Sequence, residues 1–174
     1  MSHPGPLDDA LWQQVQRSVP ILCVDVVPYR RVGDRLEVGL IRRTFAETPD
    51  EVWCHLGGRV RHGETTDEAV RRHLVETLDL ADPARAEIGV DPQPHHVMQW
   101  FPGALRAGPT YGDDPRKHAL SLCFALDLGP DLRARLGGEG RELRWFAARN
   151  VQGPGLWPGT AHLVAATLAG AHLA

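Results

Sequence analysis

Residues 57–80, GGRVRHGETTDEAVRRHLVETLDL, decide how this chain is read. The stretch opens on Gly57-Gly58, where the missing side chains let backbone come close to a ligand. It then runs into a helix with a legible start. Thr65 suits the N-cap and Glu68 stands at the third helical position, so the pair predicts a capping box. Val70, Leu74 and Leu78 recur at i, i+4 and form an apolar stripe. Glu68, Arg72 and Glu76 recur with the same spacing, offset by two residues, on roughly the opposite side. One face is thus built to pack. The other presents two carboxylates and a guanidinium beside the glycine turn, and Glu64 adds a third carboxylate just ahead of the helix. By themselves these residues fit either an ordinary ion-paired helix face or a site for phosphate and metal.

Upstream, residues 1–6 are Pro/Gly-rich and read as a loose N-terminal segment. Leu7–Val19 reads as a short helix with Leu7, Leu11 and Val15 at i, i+4 and two aspartates near its start. Ile21–Val27 is a continuous apolar, β-branched run broken by Asp25, consistent with a buried strand. Gly33-Asp34 marks a turn, and Leu36–Ile41 is the partner strand of a hairpin. Glu51–Leu56 leads into the glycine turn.

Downstream, Asp82–Pro94 is a loop, His96–Phe101 a strand, and Pro102–Pro115 a long Gly/Pro/Asp-rich loop, a type that is more often functional than idle. His118–Leu128 is apolar enough for a central strand, Pro130–Gly140 a turn region, Glu142–Phe146 a strand, and Pro158–Leu173 a helix with proline at its front. Strands around one central helix, with a terminal helix, give an α/β class with a mixed sheet.

At 174 residues the chain is read as one domain, 1–174, with 43% hydrophobic and 24% charged residues. Its net charge of -3 argues against a dedicated nucleic-acid binder. No run reaches membrane-spanning length and no signal peptide is evident. Three cysteines, Cys23, Cys54 and Cys123, lack CxxC spacing. They read as buried free thiols of a cytoplasmic protein.

The layout from Gly58 to Leu80 resembles the Nudix box, G-x5-E-x7-R-E-U-x-E-E-x-G-U. Glu64 fits the first glutamate, Arg72 the arginine, Leu74 and Leu80 the aliphatic positions, and Glu76 the first of the paired glutamates. His73, Thr77 and Asp79 depart from the pattern. The resemblance implies a Nudix-type α/β/α sandwich and a divalent ion, Mg²⁺ or Mn²⁺, held by Glu76, Glu64 and the carbonyl of Gly57. It also implies a small-molecule nucleotide substrate, and a homodimer is an expectation from the same relatives.

Within that superfamily the chain is most similar to the GDP-mannose mannosyl hydrolases, whose altered box also begins Gly-Gly-Arg-Val. That similarity implies catalytic roles for His118, Asp25 and Arg72, with His118 as general base, and substrate contacts from Arg43, Arg59 and Gln99. Each has a plainer alternative: a strand histidine can be structural, and a buried aspartate can pair with a neighbour. Three functions follow. The first is a hydrolase of a nucleoside diphosphate linked to a sugar or similar group. The second is a Nudix-fold module that binds a nucleotide sugar or a protein without turnover. The third, ranked last, is ordinary pyrophosphatase action using Glu64 and Glu76.

Overall fold

The computed structural model describes residues 7–45, 50–78, 89–103, 108, 110–130, 140–153 and 155–173. A first helix, α1 (Asp9–Ser18), is capped by Asp8, whose carboxylate accepts from Leu11 N at 2.9 Å. The strands follow: β1 (Ile21–Val32), β2 (Arg35–Thr44), β3 (Glu51–Cys54) and β4 (Leu56–Arg59). The box helix is α2 (Thr66–Leu78). Then come β5 (His96–Phe101), β6 (Gly112–Asp113), β7 (Ala119–Asp127), β8 (Glu142–Ala147) and α3 (Thr160–Gly170).

β1 is the axis of the sheet. It lies parallel to β7 from Ile21 to Tyr29, and residues 23–28 are all buried, so both of its faces are covered. Its other edge is shared. Cys23–Val26 pair antiparallel with β4, whereas Tyr29–Val32 pair antiparallel with β2. The sheet therefore forks along one side of β1, and side chains from both branches face each other across the gap. β2 continues to β3 and to β8, while β7 continues through β5 to β6. The result is a mixed sheet in an α/β/α sandwich. α2 packs on β1 and β4, and α3 on β5 and β7.

The apolar stripe read from the sequence is the packing face of α2: Ala69, Val70, Leu74 and Leu78 are buried. They join Val24, Val26, Val38, Leu40 and Leu56 in the core, each fully buried aliphatic side chain contributing about 1.5–3 kcal/mol. The capping box forms as expected. Glu68 N donates to Thr65 Oγ1 at 3.2 Å, and Thr65 N donates to Glu68 Oε2 at 2.8 Å.

Two strands outrun their sequence-based limits. β1 extends past Val27 to Val32, and β2 past Ile41 to Thr44. Their polar ends, Tyr29–Val32 and Arg42–Thr44, are held by hairpin and β3 pairing, which local hydrophobicity does not reveal. The long 102–115 loop contains β6, and much of the Asp82–Pro94 and Pro130–Gly140 segments, with Leu80 and Asp79, lies outside the described residues.

Candidate active site

The fork in the sheet opens into a cleft of about 460 Å³, solvent-open part included. Its floor is β1 and β7. Asp25 and Ser121 project from neighbouring positions there, with Cys23 and Ala119 alongside. Its walls are Gly57 and Gly58, His55, Trp100, Arg43 and Phe45, and the turn Asp114–Lys117.

Asp25 is buried at 4% exposure. Trp100 Nε1 donates to Oδ2 at 3.0 Å, and His55 Nε2 stands 3.3 Å from Oδ1. Burial pushes its carboxyl up, but the His55 charge and the hydrogen bonds from His55, Ser121 and Trp100 outweigh this and hold it below the usual range. Asp25 is therefore a carboxylate. His55 stacks on Trp100 with centroids 5.0 Å apart, which fixes the imidazole against the floor. Cys23, beside Asp25, is pushed up to about 12 by burial and by that charge, so it stays a thiol.

Gly57 has φ 140, and a Cβ there would run into the Val24 carbonyl and lie 2.8 Å from Asp25 Cα. A Cβ at Gly58 would meet His73 Cε1 at 2.6 Å. Gly57 is needed where β4 passes close to the β1 backbone, and both glycines present bare backbone to the cleft.

The cationic wall is built around Asp114, 6% exposed. Arg116 Nε and Nη2 donate to its two oxygens at 2.8 and 2.9 Å, and Lys117 Nζ donates at 2.7 Å. Despite desolvation, these two cations hold its carboxyl down at about 2. Phe45 gathers two guanidiniums over its ring, Arg43 at 4.3 Å and Arg116 at 5.0 Å from the centroid. Among the described lining residues, Arg43, Arg116 and Lys117 face two carboxylates, Asp25 and Asp114.

Of the residues predicted from sequence, Asp25, Arg43 and Gly57 line this cleft. The others lie elsewhere. Arg59 is exposed and its guanidinium lies over Trp12 of α1, 4.5 Å from the ring centroid. Gln99 is on the exposed side of β5, opposite Leu120. His118 stacks on Phe101 at 4.4 Å. It directly precedes Ala119, and side chains alternate along the strand, so Ala119 and Ser121 take the cleft side.

Arg72 is bonded within the box. It grips Glu64 with two bonds, Nε–Oε1 at 2.6 Å and Nη2–Oε2 at 2.8 Å, and reaches Arg59 O at 3.0 Å. The Arg72 hydrogen bond is the main reason the Glu64 carboxyl sits at about 2.

The residues implied for a divalent ion do not fit one in this arrangement. Both oxygens of Glu64 are bonded to Arg72, and Oε2 also accepts from Arg61 N at 2.8 Å. Both oxygens of Glu76 face guanidiniums, Arg61 and Arg72, each at 3.3 Å. His73, where the box has a glutamate, directs Nε2 to Arg59 O at 3.2 Å, and its proton affinity is lowered by burial and then by Arg72. No group of three or more His, Cys, Asp or Glu suited to a metal occurs among the described residues. Gly57 faces the cleft, while Glu64 and Glu76 do not.

Sequence reasoning missed His55, Ser121, Asp114, Arg116 and Lys117. The available signals were a histidine breaking the apolar approach to Gly57 and two adjacent bases, Arg116-Lys117, directly before a strand.

A family defined as a domain of unknown function, DUF4916, matches residues 2–171. The chain belongs to the DUF4916 family. This DUF4916 member is also similar to an ADP-ribose pyrophosphatase of Methanocaldococcus jannaschii, with 31% identity over 96 residues, 55% of this chain. That match covers 46% of the relative, so the chain spans about half the length of the curated protein it matches.

Among solved structures, one described as a possible asymmetric diadenosine tetraphosphate hydrolase from Jonesia denitrificans aligns with TM-score 0.72 and 27% identity. The alignment covers 90% of this chain and 98% of that one. The Nudix domain of Shewanella oneidensis NrtR, solved with ADP ribose, aligns with TM-score 0.64 and 18% identity over 97% and 100% of the two chains, a likeness of fold. DUF4916 as seen here has the fold of the Nudix hydrolase superfamily. Among the described residues no helix is long and apolar enough to cross a membrane.

Proposed function

We propose that this protein is a Nudix-type hydrolase acting on a nucleoside diphosphate linked to a sugar or similar group. One observation carries the reading: a buried carboxylate, Asp25, lies at the floor of a cleft walled by bare glycine backbone and by Arg43, Arg116 and Lys117. Guanidinium and ammonium groups suit phosphate oxygens, and glycine backbone lets a diphosphate approach closely. The proteins it resembles are described with ADP-ribose and diadenosine tetraphosphate, both of which contain linked phosphates.

In this reading the cations stabilise charge on the leaving diphosphate. Asp25 is the carboxylate at the floor able to take a proton from an attacking water, with His55 and Trp100 holding it in place. The general-base role that the resemblance gives His118 is not supported by its stacked position on Phe101. Arg72 positions the box loop through Glu64 and the Arg59 carbonyl.

The test is a screen of nucleotide sugars, ADP-ribose and dinucleoside polyphosphates, with Mg²⁺, with Mn²⁺ and with EDTA. Products are resolved by NMR in ¹⁸O-water. Label in the released sugar means C–O cleavage, and label in phosphate means cleavage of the diphosphate. A second reading, a binding module without turnover, is favoured by one feature: His73 and Thr77 replace box glutamates, and Glu64 and Glu76 are taken up by arginines. Tight binding with no product from any substrate supports that reading and removes the first.

A further inference from the structure

We infer that the diphosphate is neutralised by a side-chain clamp of Arg43, Arg116 and Lys117, and that its binding does not require a divalent ion on the box helix. The inference rests on the reading that the ligand carries a diphosphate, and it names what holds that group. Two independent features of the fold lead to it.

The first is where the box went. None of the residues of α2 lines the cleft; Glu64 is closed into a two-bond ion pair with Arg72, and Glu76, half exposed, points its oxygens at Arg61 and Arg72 instead of the cleft. A metal on Glu64 would have to displace a two-bond arginine whose attraction already holds that carboxyl at about 2. The loop, α2 and the Arg59 carbonyl are tied together by this clamp, so opening it would loosen the approach to Gly58 as well.

The second is what replaced it. The turn after β6 puts Arg116 across both oxygens of one buried carboxylate and Lys117 on the second of them, Oδ2. Asp114 holds the two cations close to each other and in fixed positions. Phe45 adds Arg43 to the group by placing its guanidinium and that of Arg116 over the same ring. Two guanidiniums and one ammonium are thus gathered beside the Gly57-Gly58 backbone before any ligand arrives. A paired phosphate, with several oxygens on adjacent centres, matches such a set better than a single carboxylate does. Preformed placement also means little side-chain ordering on binding.

The experiment is isothermal titration of ADP, and separately of inorganic pyrophosphate, into the EDTA-treated protein and into protein with Mg²⁺. Both are expected to bind without Mg²⁺. Arg116→Gln should raise the dissociation constant about tenfold or more, the size expected for losing one charge-assisted contact. Lys117→Gln should weaken binding likewise, and Arg116→Lys, which keeps the charge but loses the fork, should fall between. Glu76→Gln should bind as the wild type does.

If Arg116→Gln does not fold, the wild type still gives an answer: raising salt from about 50 to 500 mM must weaken ADP binding in EDTA, because the attraction is electrostatic. The inference is overturned if ADP binds only with Mg²⁺ and Glu76→Gln abolishes it while Arg116→Gln and Lys117→Gln do not. That result would leave the proposed function standing. Absence of binding by ADP, pyrophosphate and ADP-ribose under every condition would overturn both.

Discussion

Substitution Asp114→Asn gives the sharpest link between the site and stability. Asp114 is buried and carries three charge-assisted bonds from Arg116 and Lys117. Its carboxyl sits at about 2 in the folded protein against the ordinary 3.8. That difference corresponds to roughly 2 kcal/mol of folding stability at neutral pH.

The sign follows from which state binds protons more readily. The unfolded chain protonates first as pH falls, so the stabilisation is whole above about pH 4 and is lost progressively as pH drops toward 2. Asn cannot accept as a charge, and it leaves Lys117, 13% exposed, without its counter-ion, which adds to the cost. For a chain of this length the melting temperature should fall by about 4–8 °C at pH 7. Urea unfolding followed by tryptophan fluorescence should show a gap between wild type and variant of about 2 kcal/mol or more at pH 7. That gap should shrink to roughly half by pH 3. A gap that is the same at pH 7 and pH 3, or no gap at pH 7, would refute the assignment of this carboxylate as an ion-paired anchor.

Gly57→Ala should destabilise by on the order of 3 kcal/mol, because Cβ meets the Val24 carbonyl and Asp25 at a φ of 140; unchanged urea unfolding would contradict this. Thr65→Ala should cost about 1 kcal/mol through loss of the capping box, read by thermal melting. Trp100→Phe removes the donor to Asp25 Oδ2 and should cost about 1–3 kcal/mol. Because Asp25 is held below its usual range by its donors, losing one should also move the acid side of the stability profile to higher pH. Acid titrations of the two proteins that superimpose would count against it.

What the residues revealed beforehand was set by locality. The capping box, the stripe of Val70, Leu74 and Leu78, and the buried Asp25 strand are written in neighbours three or four apart or in an unbroken apolar run. The structure shows all three. The site was harder because it is assembled across the fork of the sheet. Arg43 and Arg116 meet over Phe45 although they are distant in the chain, and His55 finds Asp25 only because β4 pairs with β1. Arg59 and Glu76 looked equally suited to phosphate and metal in the one-dimensional pattern. In the fold Arg59 lies over Trp12 and Glu76 meets Arg61, both away from the cleft. His118 illustrates the same point, since strand alternation puts it on the side away from Ala119 and Ser121.

The cleft at the fork, and not the box helix, is claimed to receive the phosphates. Backbone amide shifts of ¹⁵N-labelled protein titrated with ADP in EDTA read this directly. The account predicts that the largest changes fall on Gly57, Gly58, Arg116 and Lys117. Changes centred instead on Arg61, Glu64 and Glu76, with residues 114–117 unmoved, would contradict it.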